Sequence, residues 1–290
     1  MTLIIARRVV SLLAVVVAMT RALPAPTLRE RQAITALSST QISAFKPYTN
    51  YASAAYCQPE STIAWNCGVS CQANPTFKPV ASGGDGNTNQ FWFVGFDPTL
   101  GEVIVSHQGT NTQDILSLLE DVDIIQESLA PTLFPGISSS IKVHSGFAGS
   151  QSRSAPDWQG NDYGPLTRCR YCTARRHFFP LHLPGVTVRF IGYGLPRVGN
   201  QDFADYVDAQ SASVTHINNK EDPVPILPGL FLGYHHPSGE VHIQDSGEWA
   251  SCPGQDNESD QCIVGDVPTI FEGQASDHDG PYDGVEMPGC

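Results

Sequence analysis

At 290 residues, 41% of them hydrophobic, the chain is long enough for one sizeable domain with a buried core. Charged residues are sparse at 16%, and a net charge of −13 with a pI near 4.9 argues against nucleic acid, anionic membranes and phosphate ligands as partners.

The first 22 residues have the three-part layout of a signal peptide: Arg7-Arg8, the apolar run Val9 to Met19, then small residues ahead of Leu23-Pro-Ala-Pro26. The run is too short to cross a bilayer comfortably and no later stretch is long and apolar enough, so no transmembrane segment is expected. Residues 23–32, with Arg29 and Arg31, read as a short pro-segment, and 33–290 as a single domain without internal repeats. Asn257-Glu258-Ser259 is a glycosylation sequon open to the secretory route.

Ala33 to Tyr56 carries apolar residues at helical spacing, as one or two helices packed on a sheet would. Pro59 to Gly86 reads as loop-rich. Gln90 to Asp97 and Gly101 to His107 are two strands joined by Pro98-Thr-Leu-Gly101, a hairpin signal. Asp114 to Glu120 forms a short amphipathic helix with Ile115, Leu118 and Leu119 on its apolar face; a loop runs to Gly136, and Ser140 to Phe147 returns to the core. Val186 to Tyr193 is β-branched and aromatic with little alternation, which suits a strand covered on both faces of a mostly parallel sheet. The turn Gly194-Leu-Pro-Arg-Val-Gly199, a helix from near Asn200 to Val207 and a second strand, Ser213 to Ile217, then lead to Asp222 among prolines. In a doubly wound sheet the reactive groups gather just past the carboxyl ends of strands, where Asp222 falls. Tyr234 to Ile243 reads as a hairpin, and the fold class is α/β.

Eight cysteines behind an export signal imply disulfides. Six lie in loop contexts: Cys57, Cys67, Cys71, Cys252, Cys262 and Cys290. Cys169 and Cys172 stand apart in an anomalous stretch. Zinc is the rival reading of Cys67-x3-Cys71 and Cys169-x2-Cys172, but the nearby histidines lack ligand spacing and no metal site is expected.

Taken in order, Val105-Ser-His-Gln-Gly-Thr-Asn111, Val143-His-Ser-Gly-Phe147, Phe190-Ile-Gly-Tyr-Gly-Leu-Pro-Arg-Val-Gly-Asn200, Asn219-Lys-Glu-Asp-Pro-Val-Pro-Ile-Leu-Pro228 and Ser276-Asp-His278 resemble the secreted fungal class 3 lipases across nearly all of the chain after the signal peptide. The resemblance implies an α/β-hydrolase fold, a central mostly parallel sheet with flanking helices, and a Ser-Asp-His triad that cleaves carboxylic esters without a cofactor. It also implies disulfides Cys57–Cys290, Cys67–Cys71 and Cys252–Cys262. The expected partner is a lipid or other ester, met at an oil–water interface by a secreted, extracellular monomer.

A serine hydroxyl is a weak nucleophile until a histidine takes its proton, and that histidine needs a buried carboxylate to hold its tautomer. Asp222 matches the family acid; its bland alternative is a turn cap before Pro223. His278 matches the base, with His235, His236 and His242 as competitors. Thr110 stands where the family places its first oxyanion donor, or merely ends a strand, and Asp114 to Glu120 is either a lid or ordinary packing.

One part of the pattern is absent. The family elbow, Gly-His-Ser-x-Gly, belongs between Phe147 and Val186, yet no Gly-x-Ser-x-Gly occurs in the chain. In its place, residues 156–179 show neither helical nor strand periodicity, cluster arginines in an arginine-poor chain and hold both odd cysteines. The spacing from His144 to Val186 is also short for an elbow with its strand and helices. Read one nucleotide later, the codons of Gly164 to Arg176 can encode Gly-His-Ser-Leu-Gly-Ala-Ala-Ile-Ala-Leu-Leu-Asp-Ala, with the serine at the position of Leu166 and β-branched residues over Gly160 to Tyr163. The sequence therefore describes a secreted ester hydrolase, a triacylglycerol lipase by resemblance, that lacks its nucleophile and is expected to be nearly inert. The alternatives are a feruloyl-type esterase, which differs in lid polarity, and a non-catalytic lipid- or ester-binding relative.

Overall fold

A computed structural model of the protein describes residues 33–87, 89–109, 125–148, 187–210 and 213–290. The signal peptide and pro-segment, Thr110, the amphipathic helix at 114–120 and the anomalous stretch 156–179 lie outside the described residues.

The described chain runs β1 (Thr35–Ala36), α1 (Ser39–Ser43), α2 (Lys46–Ala54), α3 (Pro59–Ile63), α4 (Val69–Ala73), β2 (Lys78–Gly83), β3 (Trp92–Asp97), β4 (Glu102–His107), β5 (Gln126–Ser128), β6 (Lys142–His144), β7 (Phe190–Tyr193), β8 (Gly199–Asn200), α5 (Gln201–Ala209), β9 (Val214–Asn219), β10 (Tyr234–His235), β11 (Glu240–Ile243), β12 (Trp249–Cys252) and α6 (Ile263–Asp266). One sheet has the order β1-β12-β11-β9-β7, with β7, β9 and β11 parallel and β12 and β1 antiparallel. An antiparallel sheet β2-β3-β4 and a second small sheet β10-β8-β6-β5 accompany it.

Local chemistry explains several boundaries. Asp97 ends β3 because its Oδ1 accepts the Thr99 and Leu100 N–H groups at 2.7 and 3.3 Å, turning the chain into β4 through Gly101 at φ +68°. α5 begins at Asn200, whose Oδ1 accepts the Phe203 N–H at 3.0 Å, and it buries Phe203, Ala204 and Val207 on one face. α1 starts in a capping box between Ser38 and Gln41.

Two expectations are corrected by the fold. Pro59 to Gly86 is not mainly loop, since it holds α3, α4 and β2; the bulge between Pro79 and Ala81 breaks the alternation that would have marked the strand. Tyr234 to Ile243 is not a hairpin: β10 pairs with β8, whereas β11 joins β9 and β12 in another sheet.

The apolar interior is divided. Tyr51, Trp65, Phe77 and Phe93 pack as an aromatic cluster beneath β3, and Ile217, Val241, Ile243, Trp249 and Tyr282 pack around β9 and β11. Cys57–Cys290, Cys67–Cys71 and Cys252–Cys262 are bonded. The first closes a separation of 233 residues, worth about 5 kcal/mol in the chain-entropy picture. Among the described residues, the clusters with metal-ligand spacing contain these same bonded cysteines, and no helix is long and apolar enough to cross a membrane.

Candidate active site

β9 ends at Asn219 and hands the chain to Asp222, whose N–H donates back to Asn219 O at 3.0 Å. Asp222 is fully buried. Its Oδ1 accepts the Val224 N–H at 2.9 Å, so the cap reading of this residue describes one of its oxygens. The other oxygen lies 2.9 Å from His278 Nδ1.

His278 sits on a 3-10 turn, Ala275–Asp279, docked onto the acid loop by three hydrogen bonds: Gln274 N–H to Glu221 O at 2.7 Å, Asn219 Nδ2 to Asp277 O at 2.9 Å, and Glu221 N–H to Asp277 Oδ2 at 3.3 Å. Tyr282, buried, donates its hydroxyl to His278 O at 3.1 Å and packs edge-on against Tyr193 of β7. Burial alone would push the imidazole down. The hydrogen bond and charge of Asp222, with Asp279 behind, outweigh that and raise the His278 pKa above its ordinary value. An Nδ1–H held by a carboxylate leaves Nε2 as the nitrogen for proton transfer.

Gly194 closes against this pair at φ +54°, and a Cβ there would stand 2.6 Å from His278 Nδ1 and 2.8 Å from Asp222 Oδ2. Nothing in its sequence context marks the need, because both the left-handed backbone and the close approach arise from contacts distant in the chain.

The competing histidines are engaged elsewhere. His242 is buried with Nδ1 and Nε2 each 3.0 Å from a carbonyl, those of Gln261 and Lys220. His236 stacks on His216, and His235 faces Asp256. Thr110 is outside the described residues, but Gly109 before it donates its N–H to the Tyr56 hydroxyl, whose pKa burial pushes up to about 12. That contact ties the end of β4 to the N-terminal helices, and no local sequence signal marks Tyr56 for it.

Comparison with known proteins decides the family. A secreted mono- and diacylglycerol lipase of Malassezia restricta is 30% identical over 224 residues, covering 71% of this chain and 69% of the relative. The chain belongs to the secreted class 3 lipases. A Malassezia globosa secreted mono- and diacylglycerol lipase is 29% identical over 227 residues, 71% of this chain and 69% of its own. Residues 172–232 match the family described as Lipase (class 3). Lipase II from Rhizopus niveus superposes with a TM-score of 0.71 at 22% identity, covering 89% of this chain and 100% of its own, so the lipase chain has the α/β-hydrolase fold. It is a member of an ester-hydrolase family.

Proposed function

We propose that Asp222 and His278 are the acid and base of an ester-cleaving triad, that Thr110 supplies an oxyanion donor, and that this chain lacks the serine they serve. The observation that carries the reading is the buried carboxylate 2.9 Å from the Nδ1 of a histidine on a separate turn. In such a site the serine proton passes to His278 Nε2 as the serine oxygen attacks the ester carbonyl, and the same proton then goes to the leaving alkoxide. Asp222 holds the ring and stabilises its charge throughout.

Two further observations favour a missing elbow strand. Among the described residues β4 pairs only with β3, and β7 only with β9. Arg189 beside β7 bonds Glu102 of β4 at 2.8 Å, so the starting ends of these two strands lie within side-chain reach of each other. On this reading the elbow strand belongs between β4 and β7, and the shifted frame over Gly160 to Tyr163 supplies β-branched residues for it. The family match also begins only at residue 172, beyond the expected serine.

We assign the substrate as an acylglycerol met by a monomer at an oil–water interface, the signal peptide (1–22) and pro-segment (23–32) being removed on export. Phe231 and Phe271 are 89% and 93% exposed beside Leu232 and Ile270, on the two loops that follow and precede the acid and base. Apolar groups there suit an uncharged lipid surface better than a polar aromatic ester. Sequencing the transcript across Ala155 to Pro180 tests the frame: a shifted frame supports the lost elbow, and an unshifted frame in every transcript favours a non-catalytic lipid-binding relative.

A further inference from the structure

Arg197, in the turn that starts at Gly194, is 2% exposed and grips the acid loop from behind. Its backbone N–H donates to Leu227 O at 2.7 Å, and Nη1 donates to the carbonyls of Ile226 and Pro228, the latter at 3.0 Å. Its Nε–H donates to Asp256 Oδ1 at 2.8 Å. The other Asp256 oxygen accepts the His236 N–H at 3.0 Å and faces His235 Nδ1 at 3.3 Å. Burial holds the imidazole of His216 down at about 4 and that of its stacked partner His236 well below the usual range, so Asp256 is the charge that answers the guanidinium.

A buried guanidinium is costly to desolvate, and an apolar side chain of similar volume would fill the same space. What the apolar side chain cannot do is hold several carbonyls at fixed angles. Those carbonyls matter for the site. The 3-10 turn Val224–Ile226 starts at the N–H that orients Asp222 Oδ1, and Arg197 holds its far end. A shift of residues 226–228 would tilt the Val224 N–H and turn the carboxylate away from His278.

We propose that Arg197, oriented by Asp256 of the Cys252–Cys262 loop, is the positioning residue for the catalytic acid, fixing residues 226–228 so that Asp222 meets His278. This rests on Asp222 and His278 being acid and base, and the readout is therefore their hydrogen bond rather than turnover.

The test follows the His278 titration and the Val224 amide exchange by NMR in the full secreted chain. Asp222→Asn must first lower the His278 titration; if it does not, the acid–base assignment fails, separately from the role of Arg197. Arg197→Lys keeps the charge without the fork, and Asp256→Asn removes the charge that orients it. Each is expected to move the His278 titration down toward that of Asp222→Asn and to speed Val224 exchange about tenfold or more. Phe203→Leu, a core change in α5 that also lowers Tm, is expected to leave both readings alone. In the unaltered chain under mild urea, the Arg197 Nε–H and the Val224 N–H are expected to lose protection together, a measurement that stands even where the variants do not fold. A folded Arg197→Lys or Asp256→Asn with unchanged readings, equal changes in Phe203→Leu, or a Val224 N–H that stays protected after the Arg197 Nε–H exchanges would each overturn the proposal.

Discussion

Asp222 and His278 are both buried, so their hydrogen bond also links the site to folding stability. The His278 pKa is raised in the folded chain. The pair's contribution is therefore fully present below the unfolded value of about 6.5 and is lost as pH rises through the higher folded value. Asp222→Asn is expected to lower Tm most near pH 5 to 6, with the difference from the unaltered chain shrinking toward pH 9. A constant difference across that range would mean that the pair is not coupled as described. Gly194→Ala is expected to cost about 1–3 kcal/mol in urea unfolding and to lower the His278 titration, since the new methyl group meets both partners. His242→Ala leaves the Lys220 and Gln261 carbonyls without their partner, so it is expected to cost about 1–3 kcal/mol of stability while sparing the acid–base pair.

At the level of elements, the signals legible in the sequence are local ones. The β3–β4 turn announces itself through Pro98-Thr-Leu-Gly101, and α5 through Asn200 and the amphipathic spacing that follows it. β2 is hidden because Pro79 and the bulge beside it disguise a strand. The segment Tyr234–Ile243 misleads because turn residues show where the chain bends but not which strand it will pair with. The same limit applies to the site. Asp222 and His278 emerge from an ordered set of motifs, whereas Gly194, Arg197 and Tyr56 matter through partners far away in sequence. The Cys57–Cys290 bond is also such a long-range tie; Cys290→Ser with Cys57→Ser is expected to cost about 2–5 kcal/mol. Because the three bonds occupy six cysteines, peptide mapping without reduction is expected to find Cys169 and Cys172 bonded to none of them.

For the whole molecule, an acidic chain with exposed Phe231 in the segment after Asp222 and exposed Phe271 in the segment before His278 is expected to adsorb to neutral lipid emulsions and to avoid anionic vesicles. Phe231→Ser and Phe271→Ser are each expected to weaken adsorption by roughly ten- to a hundredfold, from ~1.5–3 kcal/mol of burial per aromatic ring; unchanged adsorption would place the lipid-facing surface elsewhere. The central claim is that the chain holds an acid and a base but no nucleophile. Its most direct test compares acylglycerol and p-nitrophenyl ester hydrolysis by the present chain and by one in which the stretch from Gly160 to Arg176 is restored to the shifted frame with the missing residues before it. The present chain is expected to run slower by a factor on the order of 10⁶, with the restored activity abolished by Asp222→Ala or His278→Ala. Substantial hydrolysis by the present chain, or restored activity indifferent to both substitutions, would contradict it.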